Sequence, residues 1–230
     1  MERLLLLNTF GEVCAAGIWE MGTGLICTRV ADSPNSHASL LATYTQECLE
    51  TTGMRADDLA AVVCMKGPGS YTGLRIGLSF AKGLCLGSDL PLLALNSLEA
   101  MACDLWLSNA KTDGVYWPLI DARRMEVYGA SYRPEWSELC APGAFVLDET
   151  SFTGADIPVA LPWFTGGDGA EKSLAFMPPG VGMVQLGDCL TAMGMLAEQR
   201  YAQGKFDDLA YTEAEYLKPF YSPASLKRGN

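Results

Sequence analysis

The chain has 230 residues, 49% apolar and 19% charged, and carries a formal net charge of −11. A chain of this size and make-up folds around a core that buries roughly 70–75% of its unfolded surface, which excludes a disordered segment and removes any need for staples. Its cations are scattered along the sequence, which excludes a protein that grips nucleic acid alone, because displacing phosphate counterions needs a basic footprint. No apolar run approaches the roughly 18 residues of a spanning helix. Asn8 and Glu12 interrupt the opening leucine run too early for an export signal, so it reads as a strand and a cytoplasmic setting is expected. The eight cysteines form no C-x-x-C pair and sit mostly in apolar segments, where reduced core thiols are expected.

Taken in order, residues 3–9, 13–19 and 25–31 read as three strands joined by tight turns. Residues 36–53 follow as a helix with Ser36 as N-cap candidate, terminal Gly53, and a stripe of Leu41, Tyr44 and Cys48. A buried strand is predicted at 57–65, a helix at about 71–87 and another buried strand at 91–95. Asn96 with Glu99 forms a capping-box pattern that opens a helix through about 107. The second half repeats the order strand, short turn, strand, strand at 115–120, 125–132 and 144–148. Leu186, Leu190, Met193 and Leu196 place a helix near 184–203. The pattern gives an α/β protein of two lobes, 1–108 and 109–206, each opening in a three-strand meander on a mixed sheet. Residues 207–230 form a C-terminal segment with a short amphipathic stretch, which packs back on the body and frays over SLKRGN.

The stretch KGPGSYTG, residues 66–73, stands between the 57–65 strand and the helix after it. It lacks the Gly-Lys-Ser/Thr ending of a Walker loop, and its third glycine comes one residue late for a dinucleotide fingerprint. Ser70 or Thr72 caps the helix, whose N-terminus can hold an anion. Equally, the glycines can serve positive φ and close packing alone. The helix behind the loop carries two apolar stripes, Leu74, Leu78, Ala81, Cys85 and Ile76, Phe80, Leu84, leaving a wet band of Arg75, Ser79, Lys82 and Leu86. Together the stripes cover about twice the arc that a surface helix buries. One stripe faces the chain's own sheet, and the other is covered either by the 36–52 helix or by another chain.

Catalytic candidates are few. The lone histidine, His37, reads as an exposed helix-start residue and supports neither a two-histidine metal site nor a Ser–His–Asp triad. Asp121 and Glu126 are the available acid–base pair, though the DARR turn they flank also suits a local ion pair or a partner contact. FTGGDGAEK, residues 164–172, is a second glycine loop that fits a phosphate cradle or a plain turn.

The order MKGPGSYTGLRIGLSFAKGL, PLLALNSLEAMA, LIDARRMEVYGASY, GGDGAEK and EYLKPFY resembles the TsaB (YeaZ) family, most densely over 62–102. The resemblance implies an actin-like, Hsp70-type ATPase fold (the ribonuclease H-like class) of two related lobes. It implies a catalytically silent subunit in making N6-threonylcarbamoyladenosine on tRNAs that read codons beginning with adenine. Such a subunit pairs with the TsaD-type transferase, is joined by a small TsaE-type ATPase, and meets tRNA only through the complex. ATP or ADP and the metal then belong to the partner subunits, with no cofactor in this chain. The family pairs through its first-lobe helices, which carries an interface onto Leu41, Tyr44, Cys48, Tyr71, Leu74, Leu78, Ala81 and Cys85, and allows a homodimer in isolation. It also implies vestigial phosphate loops at Asn8 and Thr9, at Gly67, Gly69 and Ser70, and at Gly166, Gly167 and Asp168. The family's usual Asp-Thr-Ser stands here as Asn8-Thr9-Phe10, so weak or no ATP binding by the chain alone is expected. The competing readings are a stand-alone enzyme of the same fold, a small-molecule kinase or a glycoprotease, and an actin-like module with an unrelated partner.

Overall fold

In the computed structural model, which describes residues 1–32, 37–152, 157–158 and 160–218, the chain builds two five-stranded sheets with one shared topology. The first contains β1 (Arg3–Asn8), β2 (Ala15–Glu20), β3 (Gly24–Val30), β4 (Ala61–Gly67) and β5 (Leu92–Asn96), ordered β3-β2-β1-β4-β5. The second contains β6 (Val115–Asp121), β7 (Glu126–Tyr132), β8 (Glu138–Val146), β9 (Trp163–Gly166) and β10 (Gly182–Met183), ordered β10-β9-β6-β7-β8. In each, an antiparallel meander is followed by two strands parallel to its first. The helices are α1 (His37–Thr52), α2 (Tyr71–Ser88), α3 (Ser97–Ser108), the single turn α4 (Ala170–Ser173) and α5 (Leu190–Ala202).

β1 and β4 read as unbroken apolar runs because both faces of their sheet are covered. Leu5, Leu7, Val62 and Cys64 join Leu41 and Cys48 of α1 and Leu78 and Ala81 of α2 in one core. Leu4, Leu6, Val63 and Met65 turn the other way, to Leu98 and Met101 of α3 and Met193 and Leu196 of α5. The second sheet has its own core around Trp117, with Phe152 and Trp163 packed on its ring.

Several boundaries differ from the sequence reading, each for a local reason. β4 starts at Ala61 rather than 57, because Ala56–Asp58 closes a short 3-10 turn in which the Asp58 carboxylate takes the Arg55 N–H at 2.8 Å. β8 begins at Glu138, ahead of the predicted 144, since its ladder with β7 runs on past two irregularities to Tyr132. Asn96 does cap α3, accepting from Leu98 and Glu99 N–H, but Glu99 does not close the box: its carboxylate goes to Arg200 at 2.5 Å. α5 starts at Leu190, so Leu186 stays outside it. Gly187 N–H donates to Asp104 at 2.5 Å, and Asp188 takes the Leu190 N–H at 2.9 Å. Although it follows the second sheet in sequence, α5 returns to the first, where Gly194 lies under the Trp19 ring and Glu198 accepts the Trp19 indole N–H at 2.7 Å. Residues 207–218 contain no helix. The Ser36 cap, the setting of the His37 side chain and SLKRGN lie outside the described residues.

Burial pushes the Asp104 carboxyl above its ordinary 3.8, against the opposing hydrogen bonds from Gly187 and Cys189 N–H. An acid raised on folding contributes stability while protonated and loses it as the pH climbs through the folded value. Between about pH 4 and pH 7, the urea midpoint of D104N is therefore expected to fall less than that of the wild type. Parallel pH profiles for the two proteins would show the Asp104 contribution to be absent.

Candidate functional site: a closed cleft and an outward helix face

The loop after β4 is built around the turn that ends β1. Ser70 caps α2, its hydroxyl accepting from Gly73 N–H at 3.2 Å, while its own N–H donates to the Phe10 carbonyl at 2.7 Å. A Cβ on Gly69 would lie 2.5 Å from that carbonyl. A Cβ on Gly73 or Gly77 would strike the carbonyl or hydroxyl of Thr9. The glycines of this block thus form a seat into which Asn8, Thr9 and Phe10 pack, and all three are buried. Asn8 spends its amide on the Asp188 carbonyl at 2.8 Å, and its side-chain oxygen takes the Phe10 N–H at 3.3 Å. Close packing, rather than an anion, accounts for the glycines.

The C-terminal segment shuts the loop from its other side. Asp207 N–H donates to Leu92 on the β5 edge at 2.9 Å, and Glu215 N–H donates to the Lys66 carbonyl at 2.7 Å. The Glu215 carboxylate pairs with Lys66 at 2.9 Å and accepts from Asn96 at 3.3 Å, and its carbonyl lies where a Cβ on Gly67 would be. Tyr216 takes a hydrogen bond from Arg75 at 2.9 Å and packs on Tyr71 with ring centroids 5.1 Å apart. Lys218 then reaches Glu126 of the second sheet. Lys66, Arg75 and Glu215 carry this closure, and the EYLKPFY motif was the only sequence signal for it.

The second glycine loop is equally filled. A Cβ on Gly166 would meet the Val184 carbonyl, and Gly167, at φ 102°, lies against the Leu119 carbonyl. Asp168 accepts the Asp121 N–H at 2.8 Å. Asp121 pairs with Lys172 at 2.5 Å, and that ammonium holds its carboxyl below the ordinary value. Asp121 and Glu126 are thus each engaged by a lysine rather than set as an acid and a base. A cavity of about 570 Å³ lies elsewhere, between the end of α5 and the turn at Trp136. Among the described residues no group of three His, Cys, Asp or Glu is arranged to hold a metal, and no helix is long and apolar enough to cross a membrane.

The interface set drawn from the sequence divides. Leu41, Cys48, Leu74, Leu78, Ala81 and Cys85 are buried in the chain's own core, because this is the stripe that α1 and α2 turn to the sheet. These six are enclosed by residues of the chain itself. Tyr44 stays half-buried and Tyr71 is 41% exposed. The half-buried Ile76, Phe80 and Leu84, like Leu40 and Tyr44, pack against the margin of this core, and Leu86, at 79% exposure, points outward beside Gly83 and Gly87, where added Cβ atoms meet open space.

A family model described as "TsaD: tRNA N6-adenosine threonylcarbamoyltransferase" matches residues 31–148. The chain is 30% identical over 226 residues to the tRNA threonylcarbamoyladenosine biosynthesis protein TsaB of Escherichia coli, covering 94% of each. It belongs to the TsaB family. The Bacillus subtilis TsaB is 42% identical over 85 residues, 37% of this chain and 35% of the relative. Among solved structures, a Pseudomonas aeruginosa protein described as similar to the peptidase YeaZ superposes with a TM-score of 0.79 at 25% identity, over 95% of this chain and all of that one. The paired sheets are accordingly those of the actin-like, Hsp70-type ATPase fold.

The seat can be tested directly. Gly77→Ala adds a methyl against Thr9 and is expected to cost about 1–3 kcal/mol. Gly83→Ala, on open helix surface, should instead gain about 0.5–1 kcal/mol. Urea denaturation of both variants checks the contrast, and equal effects would contradict it.

Proposed function

We propose that this chain is a non-catalytic subunit of N6-threonylcarbamoyladenosine synthesis, which pairs with a TsaD-type threonylcarbamoyltransferase and activates it. The relatives' names supply the pathway. The observation that carries the division of labour is the packed turn Asn8-Thr9-Phe10. In an active ATPase of this fold the end of the first strand orients metal and phosphate, whereas here it is buried against Gly69, Gly73 and Gly77. Nucleotide, metal and the small TsaE-type ATPase then belong with the partner, and tRNA is met through the complex, in keeping with the charge of −11.

Pairing uses the outward face of α1 and α2. With the inner stripe spent on the core, the contact falls to Tyr44, Tyr71, Phe80, Leu84 and Leu86, with Gly83 and Gly87 letting a partner helix approach closely. The same face serves a homodimer when the partner is absent. No observation on this chain favours the kinase or glycoprotease reading.

Two measurements test the proposal. On gel filtration with the paralogue the wild type should co-elute, Leu86→Glu should not while keeping its fold, and Ala81→Glu should unfold, because it buries a charge in the core. Failure of the wild type to co-elute would count against the pairing. Calorimetry should show no micromolar ATP binding to the isolated chain, and none in N8D either, because the restored carboxylate still faces a packed turn. Turnover of substrate by the pure chain would overturn the reading.

A further inference from the structure

Tyr71, Arg75, Lys82 and Leu86 share one stripe of α2, about 60° wide at 3.6 residues per turn. The C-terminal segment runs beside this stripe in the opposite direction. The Lys82 ammonium donates to the Ala210 carbonyl at 3.5 Å, and further on the Tyr216 hydroxyl takes the Arg75 Nε–H at 2.9 Å. The Arg75 guanidinium lies over the Tyr71 ring, 4.0 Å from its centre, with the centre of the Tyr216 ring 5.8 Å away. The two rings touch one another, their centroids 5.1 Å apart. Among the described residues neither Arg75 nor Lys82 is paired with a carboxylate. Lys66, Lys172, Arg200 and Lys218, by contrast, each hold a carboxylate of the same chain. Bare apolar surface flanks the two cations, with Leu86 at 79% exposure and Tyr211, next to Ala210, at 84%.

We propose that α2 and residues 210–216 form one composite docking surface, on which Arg75 and Lys82 receive two carboxylates of the TsaD-type paralogue. The inference rests on the pairing reading above, to which it adds a second element of the face and the chemistry of the group that meets it. With the Arg75 Nε–H spent on Tyr216, the outer edge of the guanidinium is left for a bidentate bond to a carboxylate. The Tyr71 and Tyr216 rings fix the plane of that fork beforehand, so docking costs little side-chain freedom. Tyr216 is thus a positioning residue. Arg75 and Lys82 stand about 10 Å apart along the helix axis, which a partner helix matches with two acidic residues two turns apart. Tyr71 and Leu86, at the two ends of the stripe, supply the apolar contact. The cations steer the encounter and set its register while the apolar contacts hold it. A phosphate is the other ligand that suits such a fork, but two cations on a chain of charge −11 are too few to draw in a nucleic acid.

The test measures the affinity of the full-length chain for the paralogue by calorimetry across a salt series. R75Q/K82Q should weaken pairing about tenfold at low salt, and the gap from wild type should shrink to about twofold near 0.5 M. Arg75→Lys should keep the salt dependence yet lose part of the affinity, because the charge stays and the fork goes. Tyr216→Phe should fall between Arg75→Lys and wild type. Leu86→Ala, which removes apolar contact alone, should weaken pairing equally at every salt concentration. That arm reads the pairing face itself, so the two claims fail separately. Wild-type affinity of R75Q/K82Q at all salt concentrations would overturn the proposal. So would a loss indifferent to salt and accompanied by faster amide exchange over 207–218, since the cations would then only hold the C-terminal segment. Intact pairing with weaker tRNA retention by the complex would overturn it too, by assigning the cations to phosphate.

Discussion

The close seating of Thr9 on Gly73 and Gly77 is the contact on which the rest of this structure depends. Each glycine inside a helix costs about 1 kcal/mol against alanine, so a helix opening with two of them is stable only where the missing side chains let something approach. What approaches is the turn that ends the first strand. The contact sets how deep α2 lies against the sheet, and therefore that Leu74, Leu78, Ala81 and Cys85 enter the core while Leu86 remains outside. It also fills the space at the end of β1 with the chain's own atoms.

The two sheets each carry a glycine loop at the end of a parallel strand. Here each loop is filled from within, the first by Phe10 and by Glu215 of the returning C-terminal segment, the second by Leu119, Val184 and the Asp121–Lys172 pair. Lys66, Lys172 and Lys218, cations that would suit a phosphate, are paired with carboxylates of the same chain. The spent cations and the close contacts point the same way: on the fold of the actin-like ATPases, the residues around both glycine loops are engaged with one another. On the outer face of α2, Leu86 stands exposed beside Gly83 and Gly87.

Much of this was legible in the sequence because the elements obey local rules. β1 and β4 announced themselves as apolar runs, Ser70 and Asn96 as caps, and the doubled meander as a doubled lobe. The inner and outer stripes of α2 could not be told apart, because both are apolar and only the contact with β1 and β4 decides between them. Leu186 kept helical spacing yet fell outside α5, since hydrogen bonds to Asp104 and Asp188 stop the helix at a distance that sequence spacing does not register. Glu215 and Tyr216 stand in the EYLKPFY motif, but their partners could not be read from it, for these are Lys66 and Arg75, 149 and 141 residues earlier. Long-range ion pairs of this kind leave no periodicity to read.

The most direct test of a chain that docks through α2 while its cleft stays closed is amide hydrogen exchange under three conditions: alone, with saturating magnesium-ATP, and with the TsaD-type paralogue. We expect exchange at residues 8–10 and 66–77 to be unchanged by nucleotide, and exchange across 79–87 to slow several-fold only when the paralogue is present. Protection of residues 8–10 and 66–77 by ATP alone, with 79–87 indifferent to the paralogue, would contradict it.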